Sequence, residues 1–281
     1  MSIVLPSHVR PSFATGYARN ASESATPELW DGAIMFAAPA LGNTGSTIHD
    51  NSGHGRDGSF FNADPDWIQS PDGAGLDFDG SSGQRVVWTT GNEWFPRLYT
   101  DNVTVHCLIR LEAPTATKVH WGYGRSDGFG GADFELNSNA TDHQIMWFNA
   151  ATQVAITSAI TTGKWHSITA TLGGNTLYAY VDGSLIDTVA LASNLGAQDT
   201  NEFSLGGPKN ITRNSDSAIA TCMIWDRTLT PNQIGLLNRD PLAPFRRRIH
   251  IPLATEAAAP VGTGVKNPFM GPFSLPLQGS I

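Results

Sequence analysis

Between Leu29 and about Arg227 the sequence consists of short runs that are typical of β-strands, separated by clusters of Gly, Asp, Asn and Ser. Many short strands with turn residues at this spacing favour an antiparallel sandwich or barrel. The clearest runs read GLDF, RVVW, VTVHCLIRL, KVHWGYG, DFELN, QIMWF, VAITSAI, KWHSITATL, TLYAYV, LIDTVAL, EFSLG and AIATCMIW. The sequence therefore predicts an all-β protein built from antiparallel strands.

Two neighbouring runs indicate how the strands are connected. In Lys164–Leu172, one set of alternate residues is more polar than the other, so the two faces of this strand differ. The Gly-Gly-Asn sequence at 173–175 favours a tight turn into TLYAYV, and the Asp-Gly pair at 182–183 favours a second turn. These segments are predicted to form a meander of hairpins.

Only one helix is well signalled. Thr230 is a suitable N-cap, and Pro231 occupies the favoured first helical position. Ile234, Leu236 and Leu237 can supply an apolar side before the Asp-Pro pair at 240–241 ends the helix. We expect a short helix that lies against the sandwich.

The length of 281 residues fits one core with tails, because β-sandwiches often reach about 200–250 residues as one domain. We expect an extended N-terminal arm over residues 1–28, a jelly roll over 29–240 and a Pro-rich extended tail over 241–281. Seven of the 17 prolines lie in that tail, which also shows little periodicity. Such a segment is not expected to build a core of its own.

The charge of the chain is unevenly distributed. The net charge is −8, the N-terminal arm is neutral, and residues 240–281 carry +2, which leaves −10 on the region between them. A surface this acidic repels phosphate backbones. Nucleic-acid binding by the middle region is therefore not expected.

The two cysteines, Cys107 and Cys222, lie in strand-like runs outside any CxxC or zinc-binding pattern. They are predicted to be small buried hydrophobic residues in reduced form. The opening sequence MSIVLPSHVRPSF lacks a basic region followed by an apolar stretch, so no signal peptide is expected. No run approaches the ~20 apolar residues of a membrane-spanning helix, so no membrane insertion is expected.

Five short motifs then point to one family of sandwiches. They are DNSGHGRDG at 50–58, LDFDG at 76–80, GKWHSI at 163–168, LYAYVDG at 177–183 and IWDRTLT at 224–230. In this order, the sequence from Leu29 to Asp240 resembles laminin-G-like, concanavalin A-like domains. The resemblance implies a two-sheet jelly-roll sandwich with one short C-terminal helix and extended tails. The fold hosts lectins, glycan hydrolases, adhesion modules and virion proteins, so it does not decide between them.

Catalysis is not expected from the glutamates. Jelly-roll glucanases resembling this fold carry an E-x-D-x-x-E strand, whose alternate carboxylates share one face. Here Asp133-Phe134-Glu135 is the nearest approach, but the third carboxylate is missing, and no G-x-S-x-G or H-E-x-x-H motif is present. No two glutamates of the sandwich are close in sequence: Glu93, Glu112, Glu135 and Glu202. We therefore predict a protein that is not an enzyme, with glycan hydrolysis as a less favoured alternative.

The segment Gly122–Asn137 is the candidate glycan-binding loop. Sugar sites on sandwiches combine an aromatic platform with polar side chains, and the five glycines of this segment would let a ligand approach the backbone. The candidate contacts are Tyr123, Arg125, Asp127, Phe129 and Asp133. The alternative is a hairpin loop with solvated charges.

No cofactor is expected to be required, and calcium is the one candidate ion. Asp50, Asn51 and Asp57 offer the hard oxygen ligands that calcium prefers, although their spacing is not that of an EF-hand.

The resemblance extends to the layout of the chain. A leader, P-x-L-W near Pro27, the sandwich and DPLAPFRRR at 240–248 are similar to laminin-G-like proteins of tailed phages and related marine sequences. This implies a bacteriophage virion protein, structural, decorating or adhesive, that assembles in the host cytoplasm. Its expected partners are other virion proteins, copies of itself and a cell-surface glycan. The alternative is a free carbohydrate-binding module.

The tail over 241–281 is predicted to attach the protein to those partners. Apolar side chains on an extended Pro-rich chain need another surface to cover them, and an arginine cluster can meet an acidic neighbour. The alternative is an unattached linker. The predicted contact residues are Phe245, Arg246, Arg247, Arg248, Phe269 and Phe273.

Overall fold

The protein is a sandwich of two antiparallel sheets with one short α-helix, which confirms the predicted fold class. The structure is a computed structural model. It describes residues 16–249 except residues 43, 63, 90–101, 124–133, 148–151, 192–201 and 208–212.

Sheet 1 contains eight strands and is organised around two long central ones. Its spatial order is β14 (Ser184–Ala190), β13 (Thr176–Val181), β12 (Trp165–Gly173), β7 (Asn102–Leu111), β16 (Asp216–Trp225), β5 (Gly73–Asp79) and β4 (Asp66–Ser70), with β1 (Ala33–Ala37) also paired to β16. The hairpins β12–β13 and β13–β14 are the meander expected from the turn residues. Asn175 and Asp182, with φ of 60° and 50°, adopt the left-handed conformation that these turns need.

Sheet 2 also contains eight strands, all of them shorter than β7 and β16. Its spatial order is β11 (Thr152–Ala155), β10 (His143–Trp147), β9 (Phe134–Ser138), β8 (Lys118–Tyr123), β15 (Glu202–Leu205), β6 (Arg85–Thr89), β3 (Gly58–Phe61) and β2 (Thr47–Ile48).

The main hydrophobic core lies between the two sheets. Along β7, alternate residues such as Val103, Val105 and Ile109 are buried in this core, as a period of two requires. In sheet 2, the rings of Trp121 and Phe134 meet edge to face at 5.1 Å between centroids. Burial of this apolar area is the main force that holds the sheets together.

A second hydrophobic cluster covers the other face of sheet 1. It includes Leu108 of β7, Met223 of β16 and residues of the helix α1 (Pro231–Arg239), which buries Ile234 and Leu237. Because both of its faces are covered, β16 is buried at every position after Asp216. Near-continuous burial of this kind produces the unbroken apolar run of a central strand.

The helix α1 begins as the sequence predicts. The Thr230 hydroxyl accepts a hydrogen bond from the Gln233 backbone, and the Gln233 side chain accepts one from the Thr230 backbone. This capping box satisfies two backbone N–H groups at the start of the helix. It fixes the helix beside the end of β16.

Residues 16–26 and 243–248 pair with each other, and we call them the terminal clasp. Ala18 donates a backbone hydrogen bond to Phe245 at 2.8 Å, and Ala25 donates one to Arg246 at 2.7 Å. The buried Ser24 hydroxyl donates to the Pro244 carbonyl oxygen at 2.8 Å. The compact unit that holds the sandwich accordingly extends through Arg248, and residues 249–281 form a second unit.

The clasp corrects the prediction that Phe245 binds another protein. Phe245 is only 1% exposed, and its ring meets Phe36 edge to face at 5.7 Å between centroids. Arg246 forms a two-pronged ion pair with Asp240, with both N–O distances at 2.8 Å. An aromatic side chain that completes the protein's own core is not available to a partner.

The other predicted tail contacts have different positions. Arg247 is about half exposed and lies 3.9 Å from the Glu23 carboxylate, while Arg248 is exposed and donates its backbone N–H to the Glu23 carbonyl oxygen. Phe269 and Phe273 lie outside the described residues. Within the described part of the chain, no helix has the length and hydropathy needed to cross a membrane.

Candidate functional site

An open groove of about 490 Å³ lies between the terminal clasp and the turn that follows β2. Its lining combines an aromatic ring, a cation and carboxylate and amide groups: Tyr17, Ala18, Arg19, Leu41, Asp50, Asn51, Gly53 and Phe245. Pockets of this size that join apolar area to a few polar groups are the usual form of a small-ligand site. The groove is the candidate functional site.

The clasp forms one wall of this groove. The backbone bond from Ala18 to Phe245 and the bridge between Tyr17 and Arg246 fix the N-terminal segment beside the sandwich. Tyr17 and Arg19 are therefore placed on the groove by residues more than two hundred positions later in the chain. Arg19 is exposed at this wall, and its backbone N–H donates to the Glu23 carboxylate at 3.1 Å.

The opposite wall is a turn organised by Asp50. Its carboxylate accepts hydrogen bonds from the backbone N–H groups of Phe36 at 3.0 Å, Ser52 at 2.9 Å and Arg56 at 3.1 Å. The Ser52 hydroxyl donates a further bond at 2.8 Å. These bonds attach the turn to β1 and so fix the wall's position.

The same bonds correct the prediction that calcium is held here. The Asp50 oxygens already accept from backbone groups, and the Asn51 amide donates to the Phe36 and His49 carbonyl oxygens. The Asp57 carboxylate accepts from the Asp50 backbone at 2.9 Å and lies 3.2 Å from the His49 ring. Among the described residues, no group of three or more His, Cys, Asp or Glu side chains is placed to hold a metal ion. The three predicted ligands stabilise a turn.

Charged groups next to Tyr17 shape the local electrostatics. The hydrogen bond to Asp240 raises the pKa of Arg246, so the guanidinium remains charged. Burial raises the pKa of Asp72, and repulsion from Asp240 raises it further, while Arg246 opposes both effects. Asp240 and Arg246 thus offset each other's charge, and the exposed Arg19 is the lining residue that carries a positive charge.

A second polar cluster lies on the outer face of sheet 2. Gly122 of β8 is opposite both Glu135 of β9 and Ser204 of β15, and directly opposite residues share a face. Asn137, two positions beyond Glu135, lies on the same face and donates a hydrogen bond to the Glu135 carboxylate. We call Gly122, Glu135, Asn137 and Ser204 the sheet 2 strip.

The strip is buried except at its glycine. Glu135, Asn137 and Ser204 are 3%, 2% and 4% exposed, whereas Gly122 is partly exposed. A methyl group on Gly122 would lie 3.8 Å from a carboxylate oxygen of Glu135 and 3.2 Å from Val119. The position is therefore closely packed, because 3.2 Å to Val119 is shorter than an ordinary van der Waals contact. A glycine inside a strand often marks such close approach by a neighbouring group.

The structure corrects the role predicted for Tyr123. The segment Gly122–Asn137 is not a loop at its ends, because β8 extends to Tyr123 and β9 begins at Phe134. Tyr123 is 2% exposed and belongs to the core between the sheets, so it cannot serve as an exposed platform for a sugar. The other four predicted contacts, Arg125, Asp127, Phe129 and Asp133, lie outside the described residues.

Sequence reasoning placed Asp50 and Asn51 together but missed Tyr17, Arg19 and Leu41 as their neighbours. Tyr17 and Arg19 belong to residues 1–28, which were predicted to form an extended arm. No local pattern marks them, because the groove arises only when both ends of the domain pair on the sandwich.

The sequence profile of the Concanavalin A-like lectin/glucanases superfamily matches residues 72–235, which is more than half of the chain. The chain belongs to this superfamily. The match confirms the predicted family of laminin-G-like and concanavalin A-like jelly rolls. A search of curated proteins found no match for this superfamily member.

Solved structures similar to this superfamily member include sialidases and a toxin domain. Trypanosoma rangeli sialidase in complex with sialic acid has a TM-score of 0.57 and 19% identity, over 75% of this chain and 33% of the sialidase chain. The receptor-binding domain of a botulinum neurotoxin mosaic serotype C/D has a TM-score of 0.57 and 15% identity, over 75% of this chain and 51% of that chain. At these identities the likeness shows the fold alone. The chain spans a third to a half of these neighbours.

The sialidases overturn the prediction that this superfamily member is not an enzyme. A mutant of the Trypanosoma rangeli protein that displays trans-sialidase activity has a TM-score of 0.56 and 18% identity, over 75% of this chain and 33% of that chain. The prediction was wrong because it treated a pair of glutamates on one strand as a requirement, and glycan hydrolysis does not always depend on such a pair. The absence of that pair does not exclude catalysis, and the fold alone does not assign it.

Proposed function

We propose that this lectin/glucanase-type domain recognises a glycan in the groove between the terminal clasp and the Asp50 turn. The observation that carries the proposal is the lining, which brings Tyr17, Arg19 and Asn51 to one open groove. Aromatic rings stack on the apolar faces of sugars, and polar side chains bond to their hydroxyl groups. Gly53 adds a stretch of backbone without a side chain to that surface.

Arg19 favours a glycan that carries a carboxylate. A guanidinium group can form paired hydrogen bonds with a planar carboxylate, so an acidic sugar would gain an ion pair that a neutral sugar lacks. The sialidase neighbour is described in complex with sialic acid, which is such a sugar. This supports acidic glycans as the first class to test.

The test is binding to a glycan array that includes neutral and carboxylate-bearing oligosaccharides, followed by titration of the glycans that bind. Arg19→Ala is expected to weaken binding of an acidic glycan by about tenfold, the effect of roughly 1.4 kcal/mol. Arg239→Ala, an exposed arginine on the far end of α1, is the matched control and should bind as the unaltered protein does. Equal loss in both variants, or none in Arg19→Ala, would contradict the assignment of this groove.

We further propose that the domain belongs to a bacteriophage particle, in which it acts as a decorating or adhesive protein. The layout of the chain supports this, together with the finding that the sandwich and its clasp are complete by Arg248. The proposed segment for attachment to other virion proteins or to further copies is then 249–281, which follows the clasp. The proposed site of assembly is the host cytoplasm, and the proposed location is the virion.

Deletion of residues 249–281 tests this attachment. The shortened chain keeps Phe245 and the clasp, so it should remain folded and monomeric, while the full chain should form an oligomer or sediment with particles. Sedimentation velocity compares the two forms, and circular dichroism checks that the deletion leaves the sandwich folded. If the shortened chain assembles with the same stoichiometry as the full chain, the proposed attachment is incorrect.

Glycan hydrolysis is a second candidate function, and the sheet 2 strip favours it. Glu135 is a buried carboxylate that accepts a hydrogen bond from the Asn137 amide and lies opposite the partly exposed Gly122, and a carboxylate held in this way can transfer a proton. Glycans that bind on the array should be incubated with the protein and analysed for cleavage. Loss of cleavage in Glu135→Gln but not in Glu112→Gln would assign hydrolysis to the strip, and intact glycans with the unaltered protein would reject it.

A further inference from the structure

The two cysteines of the chain lie directly opposite each other in the centre of sheet 1. Cys107 of β7 is the register partner of Cys222 of β16. Both are fully buried in the core between the sheets, and their side chains are close enough to share a hydrogen bond. The sequence contains no other cysteine.

This register is compatible with a covalent bond between the two sulfurs. Opposite residues of an antiparallel pair have Cα atoms about 4.5 or 5.5 Å apart, depending on their hydrogen-bonding class. Disulfides span Cα separations of about 4.4–6.8 Å, so the Cα spacing of either class falls within that range. We infer that Cys107 and Cys222 form a cross-strand disulfide site that closes when the chain folds in the presence of a small-molecule disulfide.

The surroundings of the pair determine when the bond can form. On the far side of each cysteine is a further strand, where Ile168 of β12 is opposite Cys107 and Ala37 of β1 is opposite Cys222. A small disulfide reagent cannot reach sulfurs enclosed in this way. Burial also raises the pKa of Cys107, which suppresses the thiolate that would attack the reagent. Closure therefore takes place before β7 and β16 are sealed in the sheet.

The reaction balances with oxidised glutathione as the co-reactant. The thiolate of one cysteine attacks a glutathione sulfur, which breaks the glutathione disulfide, forms a mixed disulfide and releases one reduced glutathione. The thiolate of the second cysteine then attacks the protein sulfur of the mixed disulfide and releases the second glutathione. The protein pair loses two electrons, the glutathione disulfide gains them, and the two thiol protons end on the two released glutathiones.

The test is refolding of the full chain from denaturant, with and without a mixture of oxidised and reduced glutathione. Thiols are then counted by alkylation under denaturing conditions and mass spectrometry. The count should fall from two per chain without glutathione to none with it, and the oxidised product should be a monomer two hydrogen masses lighter. The single variants Cys107→Ser and Cys222→Ser should each give a mixed disulfide with glutathione or keep one thiol.

A second measurement separates closure during folding from closure in the folded protein. The folded, reduced chain is placed in the same glutathione mixture, and it should keep both thiols for as long as it remains folded. If the refolded chain retains two alkylatable thiols, or forms only mixed disulfides and linked dimers, the inferred site is wrong. Rapid loss of both thiols from the folded chain would overturn the inferred stage of closure.

Discussion

His106 should make this protein less stable in acid. The ring is fully buried between sheet 1 and the second hydrophobic cluster, and its Nδ1 atom lies 2.8 Å from the Thr169 hydroxyl. Burial lowers the pKa of His106 from 6.5 to about 3, because the charged ring would lose its hydration. The unfolded chain therefore binds a proton at a pH where the folded chain does not.

The sign and size of the effect follow from this difference. A depressed histidine pKa leaves stability intact above 6.5, and stability is lost as the pH falls from there towards 3, since only the unfolded state gains the proton. Between about pH 7.5 and about pH 5 the free energy of unfolding should fall by about 2 kcal/mol from this residue alone. Burial lowers the pKa of His120 and His143 as well, which adds to the loss in the unaltered protein.

Comparison with His106→Asn isolates the contribution of this residue. Asparagine retains a polar group near the Nδ1 position but does not titrate. Between about pH 7.5 and about pH 5, the free energy of unfolding of the variant should therefore fall by about 2 kcal/mol less than that of the unaltered protein, with most of the difference arising below pH 6.5. Urea unfolding followed by tryptophan fluorescence at a series of pH values gives the two curves. His49→Gln, with a ring that is 55% exposed, is the control. Parallel curves for His106→Asn and the unaltered protein would refute the reasoning.

Three further predictions concern stability and can be checked by the same unfolding assay. Phe245→Ala should lower the free energy of unfolding by about 3–5 kcal/mol because it empties the core under the clasp. The control Ile249→Ala, at a side chain that is 76% exposed, should change the free energy of unfolding by less than about 0.5 kcal/mol, and similar values for both variants would contradict a structural role for the clasp. Gly235→Ala should raise stability by about 0.5–1 kcal/mol, since an added methyl inside α1 meets nothing within 4 Å, and a loss would indicate an unseen contact. Thr230→Ala should lower stability by about 1 kcal/mol through loss of the cap, and restoration by Thr230→Ser would confirm the hydroxyl as the cause.

The strands and the helix were accessible from the sequence because their signals are local. Alternation over Lys164–Leu172 and the turn residues at 173–175 and 182–183 define β12, β13 and their connections. The capping residues Thr230 and Pro231 likewise mark the start of α1. In each case the deciding contacts lie within a few positions of the residues that signal them.

The site was less accessible because it depends on long-range placement. In β8, a bulge between Val119 and Trp121 shifts the register, so Val119 lies on the outer face and Trp121 and Tyr123 lie in the core. One inserted residue reverses the faces of a strand, and the sequence does not mark it. The groove depends in the same way on the pairing of Ala18 with Phe245, which are far apart in the chain.

The position of β16 has a consequence for the order in which a newly made chain can fold. This strand is the shared neighbour of β1, β5 and β7, yet it comes last in chain order among the strands that the structure describes. Until it emerges, β1 has no partner in sheet 1 and β7 exposes one unpaired edge, which is the state in which nascent β-proteins aggregate. Sheet 1 therefore cannot be completed strand by strand during translation, because its pairing is finished only after β16 has been made.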